Sequence, residues 1–362
     1  MQGVDTVFMQ RALFHAARGA GRTSPNPMVG AVVVSPEGVV LGQGFHERAG
    51  EPHAEVRALE AAGDRARGAA LYCTLEPCCH QGRTGPCVAR IVDAGIARVV
   101  VATEDPNPLV RGQGFRFLHE RGVRVDVGLC AEEATVLNQP FFTLMREGRP
   151  FVVMKMATSL DGYIAEARGR RTSLTSVPAN RHAHRFRAAV DAIGVGIETI
   201  LVDDPELTAR GVYRERPFTR VVFDRRLRVP ATARVLSTCD AGPVIIVTTA
   251  IGAGRTEHVK ALEDLGAEVA IARDGTFTAA LERLGERRIG SLLLEGGATV
   301  LAAAWDEKVV DFVRLYVTPH VVGRDGVNFL PARAFCTAGW FDRRVEPLGP
   351  DMLIEGYVHR PR

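Results

Sequence analysis

Short apolar runs alternate with helical patterns through the first 145 residues of the chain. Residues 29–34 and 39–44 form two apolar runs that a Ser-Pro-Glu-Gly turn separates, a pattern that predicts a β-hairpin. Strands and helices of ordinary length follow in turn, which favours an α/β layer domain. The predicted strands after the hairpin are 70–74, 98–102 and 123–127, and the predicted helices are 53–62, 86–94, 115–121 and 131–145.

A second series of the same kind begins after residues 146–150, a polar stretch with Gly and Pro that we interpret as a linker. We therefore predict two domains, at residues 1–146 and 151–362, and a length of 362 residues suits two domains of ordinary size. Residues 225–242 are irregular and predict a long loop. The predicted strands of the second domain are 151–156, 192–195, 219–223, 244–248, 291–294 and 311–317, and its predicted helices are 178–189, 276–286 and one that Gly296 and Gly297 open.

The charge of the chain is nearly balanced, with 45 basic and 42 acidic side chains and a formal net charge of +3. No long block of like charges occurs, so the sequence does not suggest a nucleic acid or a membrane surface as a partner. The N-terminus lacks the basic and apolar segments of a secretion signal, and no stretch approaches the roughly 20 apolar residues of a membrane span. We expect a soluble, cytoplasmic protein that acts on small molecules.

Four of the seven cysteines lie close together in sequence, which in a reducing compartment indicates metal binding or catalysis more often than disulfides. His53 precedes Glu55, and Cys78 and Cys87 follow after a predicted strand. A catalytic zinc takes three protein ligands and keeps a position for water, whereas four ligands close a structural site. His53, Cys78 and Cys87 fit the first arrangement as ligands of one zinc ion. Glu55 is then free to move protons, as in the zinc deaminases of nucleobases.

Two structural interpretations of the same residues stay open at this point. In the first, His53 is a capping or core histidine and the cysteines are small buried hydrophobic residues. In the second, Cys79 or His80 completes a closed zinc site with four ligands. The non-enzymatic alternative is a zinc-stabilised binding module without catalytic activity. Glu55, which a structural zinc does not need, favours the catalytic interpretation.

Four longer motifs surround these residues: TSPNPMVG at 23–30, PHAEV at 52–56, TLEPCCHQGRTGPC at 74–87 and DPNP at 105–108. With them, the first 145 residues resemble the deaminase half of the bacterial bifunctional riboflavin-biosynthesis deaminase/reductases. Members of this family deaminate a diamino-hydroxy-pyrimidine that carries a phosphoribosylamino group. They then reduce its ribose to a ribityl chain with NADPH.

For the first domain, the resemblance implies a cytidine-deaminase-like α/β/α layer fold. It also implies that His53, Cys78 and Cys87 bind zinc and that Glu55 is the proton donor. The residues that it implies at the pyrimidine and its phosphate are Asn26 and Arg83.

The second half resembles the reductase half of the same family through SLDG at 159–162, AIGVG at 192–196, VDDPELT at 202–208 and LEGG at 294–297. The resemblance implies a dihydrofolate-reductase-like α/β fold that uses NADPH. The implied NADPH site comprises Ala157, Thr199, Asp203, Gly297, Ala298, Thr299, Val300 and Leu301. The implied substrate residues are Arg187, Leu207, Arg210 and Glu295.

Without the resemblance, the residues of the second half give weaker support for a cofactor and substrate site than those of the first half give for a zinc site. Gly296 and Gly297, between a strand and a helix, let a phosphate approach backbone N–H groups, but the same pair suits an ordinary tight turn. Asp203 equally suits a helix or turn cap. Some family members carry a tryptophan where this chain has Ser173. Because of this departure, we add Arg171 to the expected substrate residues, as a partner for a phosphate. The departure also keeps open the alternative that the protein is a deaminase with a degenerate reductase half. Assembly into a homo-oligomer also stays open.

Overall fold

The computed structural model describes residues 2–79, 85–170, 172–330, 333 and 335–361 of the chain. It divides into two units, Met1–Glu147 and Gly148–Arg360. Each unit contains one main β-sheet with helices packed against it. In the part of the chain that the structure describes, no helix combines the length and the apolar character needed to cross a membrane.

The first unit is built on a mixed sheet. Its strands are β1 (Gly30–Val34), β2 (Val40–Phe45), β3 (Ala70–Cys73), β4 (Arg98–Val101) and β5 (Arg124–Val127). Its helices are α1 (Gln2–Ala17), α2 (Ala54–Ala62), α3 (Cys87–Asp93), α4 (Gln113–His119), α5 (Ala131–Leu137) and α6 (Gln139–Glu147). The strands lie in the order β2-β1-β3-β4-β5. Strand β1 is antiparallel to both of its neighbours, while β3, β4 and β5 are parallel.

Alternate residues of β1 pack into apolar clusters on opposite faces of this sheet. Ala31 and Val33 belong to the cluster that includes α2 and α3, and Val32 and Val34 belong to the cluster that includes α1. Helix α1 lies directly on the strand, because a Cβ added to Gly30 would be 2.0 Å from a carbonyl oxygen of α1. Both faces of the strand are therefore covered, which explains why it reads as a continuous apolar run.

The second unit has a larger sheet. Its strands are β6 (Phe151–Thr158), β7 (Tyr163–Ala165), β8 (Ala192–Gly196), β9 (Thr219–Phe223), β10 (Val244–Thr249), β11 (Ala267–Ala272), β12 (Ser291–Glu295), β13 (Phe312–Val317), β14 (Val327–Asn328), β15 (Phe341–Leu348) and β16 (Asp351–Tyr357). Its helices are α7 (Val177–Arg187), α8 (Ile197–Asp203), α9 (Arg234–Ser237), α10 (Ala250–Ala253), α11 (Thr256–Asp264), α12 (Phe277–Glu286) and α13 (Ala298–Asp306).

The main sheet of this unit has the order β11-β10-β9-β8-β12-β6-β13-β16-β15, and β7 pairs separately with β14. From β11 to β13 every pair of neighbours is parallel, and β16 and β15 add an antiparallel edge. The carboxyl ends of β6, β8 and β12 therefore lie side by side at one edge. In open parallel sheets this edge is where ligands bind.

Most predicted strands and helices are present within a few residues of their predicted ends. The helix predicted at 131–145 is wrong in one respect, because it is two helices that meet at Asn138. The Asn138 side chain accepts a hydrogen bond from the backbone N–H of Met28 (2.8 Å) and donates one to its carbonyl oxygen (2.9 Å), which fixes the break. The loop predicted at 225–242 contains the short helix α9. The patterns missed α1, α8, α10, α11, β7, β11, β14, β15 and β16.

Candidate active sites

Three metal-ligating side chains converge in the first unit. His53 is the residue before α2, Cys87 is the first residue of α3, and Cys78 lies in the segment after β3. Their donor atoms lie within 4.8 Å of one another. His53 Nδ1 is 3.3 Å from Cys87 Sγ and 3.4 Å from Cys78 Sγ. One nitrogen and two sulfur donors at these separations suit the tetrahedral ligand set of Zn²⁺.

Hydrogen bonds bias one of the two thiols towards the thiolate. The Cys87 thiol, and after it His53, lower the pKa of Cys78 to about 4. Cys78 in turn raises the pKa of His53 to about 9. The backbone N–H of Cys87 also donates to Cys78 Sγ at 3.4 Å, so the start of α3 favours negative charge on this sulfur. Because zinc binds the thiolate form of cysteine, the residues present fit this ion.

Cys79 does not supply the fourth ligand that would close a structural zinc site. Its Sγ lies 3.8 Å from the carbonyl oxygen of Leu109 and takes no part in the group of three ligands. His80, the other alternative, and Arg83, an expected substrate residue, lie outside the described residues. Within residues 2–79 and 85–170 the ligand set therefore has three members, the number typical of a catalytic zinc.

Glu55 lies in the first turn of α2, and the residue is only 3% exposed. Burial raises the pKa of its carboxyl, and the Cys87 thiol hydrogen bonds to it. Its Oε2 atom has no hydrogen-bond partner among the described residues. A buried carboxyl with a raised pKa and an unused oxygen binds a proton more readily than an ordinary carboxyl, which suits a group that takes up and delivers protons.

Asn26 is connected to the zinc-ligand site by His46, a residue that the sequence analysis missed. Its Nδ2 atom lies 3.2 Å from Nε2 of His46, which is only 2% exposed. The ring of His46 is 5.3 Å from the ring of His53, in an edge-to-face arrangement. A histidine at the end of the predicted strand 39–44 was the only available signal, and it is a weak one.

Glu76 is a second residue of this site that sequence reasoning missed. The residue is 3% exposed. Its Oε1 accepts a hydrogen bond from the N–H of Gly114 (2.9 Å), and its Oε2 accepts from Gly112 (3.0 Å) and Asp105 (3.3 Å). A Cβ added to Gly114 would lie 2.3 Å from the carbonyl oxygen of Pro77. Glu76 thus fastens the segment after β4 against the segment that carries Cys78 and Cys79.

A buried ion pair lies at the edge of the second unit where the carboxyl ends of β6, β8 and β12 meet. Arg187, on the last turn of α7, donates from Nε to Glu295 Oε1 (2.9 Å) and from Nη2 to Oε2 (2.5 Å). Its Nη1 donates to the carbonyl oxygen of Thr208 (2.9 Å). Lys155, which sequence reasoning missed, pairs in register with Glu295 across β6 and β12. Burial lowers the pKa of Lys155, although Glu295 opposes this shift.

Glycines form a cradle between β8, β12 and α13. Gly296 and Gly297 have φ values of +91° and +83°, and Gly297 is the residue before α13. A Cβ added to Gly297 would lie 3.5 Å from Val300 Cγ1 and 3.7 Å from both Gly196 Cα and Thr199 Oγ1. The missing side chains leave room for a group such as a cofactor phosphate beside the start of a helix, so the residues present fit NADPH.

The other expected residues of this unit vary in exposure. Val300 and Leu301 are buried in the core, and both of their N–H groups donate to the carbonyl oxygen of Gly297. Of the residues expected at the NADPH site in α13, only Ala298 and Thr299 lie before the first residue whose N–H is hydrogen bonded to Gly297. Among the rest, Ala157 is on β6, Asp203 ends α8, Leu207 is buried, Arg210 is exposed and Arg171 lies outside the described residues.

Two family models match the chain. Residues 3–103 match the cytidine and deoxycytidylate deaminase zinc-binding region, and residues 150–354 match the RibD C-terminal domain.

Full-length relatives are similar to the whole chain. A riboflavin biosynthesis protein RibD of Aquifex aeolicus is 41% identical over 97% of this chain and 98% of its own length. The protein of the same name from Escherichia coli is 36% identical over 97% of this chain and 98% of its own length.

Solved structures are similar along the whole chain too. RibD of Acinetobacter baumannii has a TM-score of 0.86 at 35% identity and covers 99% of this chain and 100% of its own. A diaminohydroxyphosphoribosylaminopyrimidine deaminase/5-amino-6-(5-phosphoribosylamino)uracil reductase of Thermotoga maritima has a TM-score of 0.83 at 34% identity, covering 100% of this chain and 99% of its own. These likenesses confirm the predicted fold of each half, cytidine-deaminase-like and then dihydrofolate-reductase-like.

Proposed function

The chain belongs to the RibD family of riboflavin-biosynthesis proteins, and we propose that it carries both activities named for its Thermotoga maritima relative. The first is the zinc-dependent, hydrolytic deamination of the diaminohydroxyphosphoribosylaminopyrimidine. The second is the NADPH-dependent reduction of the ribose of 5-amino-6-(5-phosphoribosylamino)uracil to a ribityl chain. The observation that carries the proposal is the triad of His53, Cys78 and Cys87 with the buried carboxyl of Glu55 beside it.

In the deaminase, Glu55 moves protons and its neighbours hold the pyrimidine. When bound to His53, Cys78 and Cys87, zinc supplies an activated water at the ring carbon that bears the amino group. The carboxylate of Glu55 takes a proton from the attacking water and delivers it to the amino nitrogen, which leaves as ammonia while the water oxygen stays on the ring carbon. The side chain of Asn26, which His46 orients at 3.2 Å, is available to hydrogen bond to the pyrimidine.

In the reductase, side chains around the carboxyl ends of β6 and β12 orient the sugar phosphate. When bound in the glycine cradle at Gly297 and Thr199, NADPH supplies a hydride to the first carbon of the opened ribose. Arg187 holds Glu295, whose carboxylate is placed to hydrogen bond to the ribose hydroxyls, and Lys155 Nζ supplies the proton that the ring oxygen takes up when the bond from this oxygen to the first carbon breaks and the ribose opens.

Arg210 binds the phosphate of the substrate in this proposal. The side chain is exposed, and no hydrogen bond or ion pair engages its guanidinium within the described residues. A planar guanidinium with free donors matches the oxygens of a phosphate.

The test is a pair of assays on one preparation of the protein with its zinc content measured. Glu55→Gln keeps the size of the side chain but cannot carry the proton. We expect ammonia release to fall by about 10² to 10⁴-fold, while NADPH oxidation with the deaminated substrate and the zinc content stay unchanged. Glu60→Gln is the matched control, because Glu60 lies on the same helix with its side chain 59% exposed. It should leave both activities intact.

Each other outcome has a distinct meaning. Ammonia release without NADPH oxidation would indicate a degenerate reductase half. One zinc per chain with neither activity would favour a zinc-stabilised binding module. Unchanged ammonia release in the Glu55→Gln variant would refute the role of this residue.

The cytoplasm is the location that we propose, because all seven cysteines are free thiols, which suits a reducing compartment. The partners in this proposal are small phosphoribosylamino-pyrimidines. Whether the chain forms a homo-oligomer is a question for sedimentation velocity.

A further inference from the structure

The segment 204–210, between α8 and β9, carries two of the expected substrate residues without being a helix or a strand. Asp204 and Leu207 both have positive φ values, +42° and +53°. Such residues keep this conformation only where the surroundings impose it. The exposed Arg210 at the end of the segment therefore depends on outside contacts for its position.

The first half of the segment is anchored in the core. Leu207 is 4% exposed and packs in an apolar cluster with α8 and β10. The buried Arg220 donates to the carbonyl oxygen of Glu206 at 3.3 Å. The backbone N–H of Arg234 donates to the carboxylate of Asp204 at 2.8 Å.

Helix α7 holds the second half of the segment with two side chains that lie one turn apart. Arg187 Nη1 donates to the carbonyl oxygen of Thr208 at 2.9 Å. His184 accepts a hydrogen bond at Nδ1 from the backbone N–H of Arg210 at 3.1 Å. The same Arg187 also binds Glu295, so α7 connects the segment 204–210 to the carboxyl end of β12.

We propose that His184 is a positioning residue of the reductase, whose neutral Nδ1 holds the Arg210 backbone so that the Arg210 guanidinium meets the substrate phosphate. The inference rests on the proposed function, because it takes Arg210 as the phosphate-binding residue. His184 touches neither the sugar nor the cofactor in this scheme. It acts only through the segment 204–210.

The surroundings of His184 favour the neutral ring that this hydrogen bond needs. Burial lowers the pKa of His184, and the cations of Arg187, Arg210 and Lys155 act in the same direction, while Glu295 opposes them. Since a protonated ring donates at both nitrogens, protonation would remove the acceptor and release the N–H of Arg210. The contact is therefore present at neutral pH and lost as the pH falls through the pKa of His184.

Three substitutions separate this role from a merely structural one. His184→Asn keeps an acceptor near the place of Nδ1, whereas His184→Gln carries its acceptor farther out, near the place of Nε2. His184→Leu removes the acceptor and keeps apolar bulk. Steady-state rates are measured with 5-amino-6-(5-phosphoribosylamino)uracil varied and NADPH saturating, and ammonia release by the same preparations is the internal control.

We expect His184→Leu and His184→Gln to raise the reductase KM by roughly three- to tenfold with a smaller change in kcat, as the loss of one hydrogen bond implies. His184→Asn should restore a KM close to that of the wild type. The wild-type KM should rise as the pH is lowered from 8 to about 5, and the KM of His184→Asn should not follow it. Ammonia release should be the same in all four proteins.

Equal KM values for His184→Asn and His184→Leu would overturn the inference, and so would a KM unchanged by His184→Leu. A parallel loss of ammonia release in the variants would also overturn it, because that result indicates general damage to the fold. Absence of NADPH oxidation by the wild-type protein would instead refute the proposed reductase function, and this inference with it.

Discussion

Replacing Glu76 with Gln tests whether one buried carboxylate holds the deaminase site together. Both oxygens of Glu76 accept backbone hydrogen bonds, one from Gly114 to Oε1 and two, from Gly112 and Asp105, to Oε2. Gln has nearly the same shape but only one carbonyl oxygen. In either orientation its amide N–H₂ group must face at least one backbone N–H, so one or two of the three hydrogen bonds are lost.

The size of the effect follows from this loss. A hydrogen bond to a charged group contributes about 1.5–3 kcal/mol, and a buried donor left without a partner adds to the cost. Losing one or two of these bonds should destabilise the segment 105–114 by about 2–5 kcal/mol. Because 1.4 kcal/mol corresponds to a factor of ten, amide hydrogen exchange at Gly112 and Gly114 should accelerate by roughly 30-fold or more.

Hydrogen exchange of the peptide that covers this segment is the primary measurement, with deaminase kinetics beside it. We expect the deaminase kcat/KM to fall, because the segment lies against the one that carries Cys78, and we expect reductase rates to stay the same. Glu104→Gln is the control, at the residue directly before this segment. Glu104 pairs with Arg111 at 3.1 Å with both side chains largely exposed, and such pairs contribute about 0–1 kcal/mol.

The reasoning would be refuted if Glu76→Gln exchanged at the wild-type rate at Gly112 and Gly114. It would also be refuted if Glu104→Gln produced the same acceleration. A fall in zinc content with unchanged exchange would show that Glu76 acts on the metal site and not through the segment.

Two further substitutions test the glycine cradle of the second unit and an ion pair of the first unit. Gly297→Ala should weaken NADPH binding by roughly tenfold, which corresponds to about 1.4 kcal/mol, because the added Cβ would take up space that the cradle leaves for the cofactor. Gly339→Ala is the control, because nothing lies within 4 Å of a Cβ added there, and it should leave the Kd unchanged in a fluorescence titration. Arg98→Met should lower the urea midpoint of the first unit by an amount equivalent to about 1 kcal/mol at pH 7, since Arg98 contacts both carboxylate oxygens of Asp5. Arg98 lowers the pKa of Asp5, so the ion pair stabilises the fold above the ordinary carboxyl pKa. The difference in urea midpoint between wild type and variant should therefore shrink as the pH falls below about 4. A difference that stays constant with pH would count against the ion pair.

The ligand triad could be predicted from the sequence because its chemistry is carried by short local motifs. His53 and Glu55 are two positions apart at the start of a helix, and Cys78 and Cys87 flank one insertion. The spacing restricts where each donor can lie once the neighbouring strand and helices form. Residue type and spacing together were therefore enough to indicate a zinc site.

Helix α1 and strand β15 could not be predicted, for different physical reasons. In α1, Met9 and Ala12 are fully buried, yet Val7 and Phe14 are 60% and 69% exposed, so apolar residues surround the helix and no amphipathic period stands out. In β15, all but the last residue are exposed, and charged side chains interrupt the alternation. Charges of this kind are typical of the edge of a sheet, where they discourage pairing with other chains.

Glu76, His184 and Lys155 were missed for a third reason, which applies to both units. Glu76 meets its three donors 29 to 38 positions away, and Arg210 donates to His184 across 26 positions. Lys155 lies beside Glu295 only because β6 pairs with β12 in one particular register. Strand order and register come from the packing of the whole sheet, which no local pattern encodes. The expected zinc ligands and many of the expected substrate residues lie in sequence motifs, while contacts such as those of Glu76 and His184 become visible only after the chain has folded.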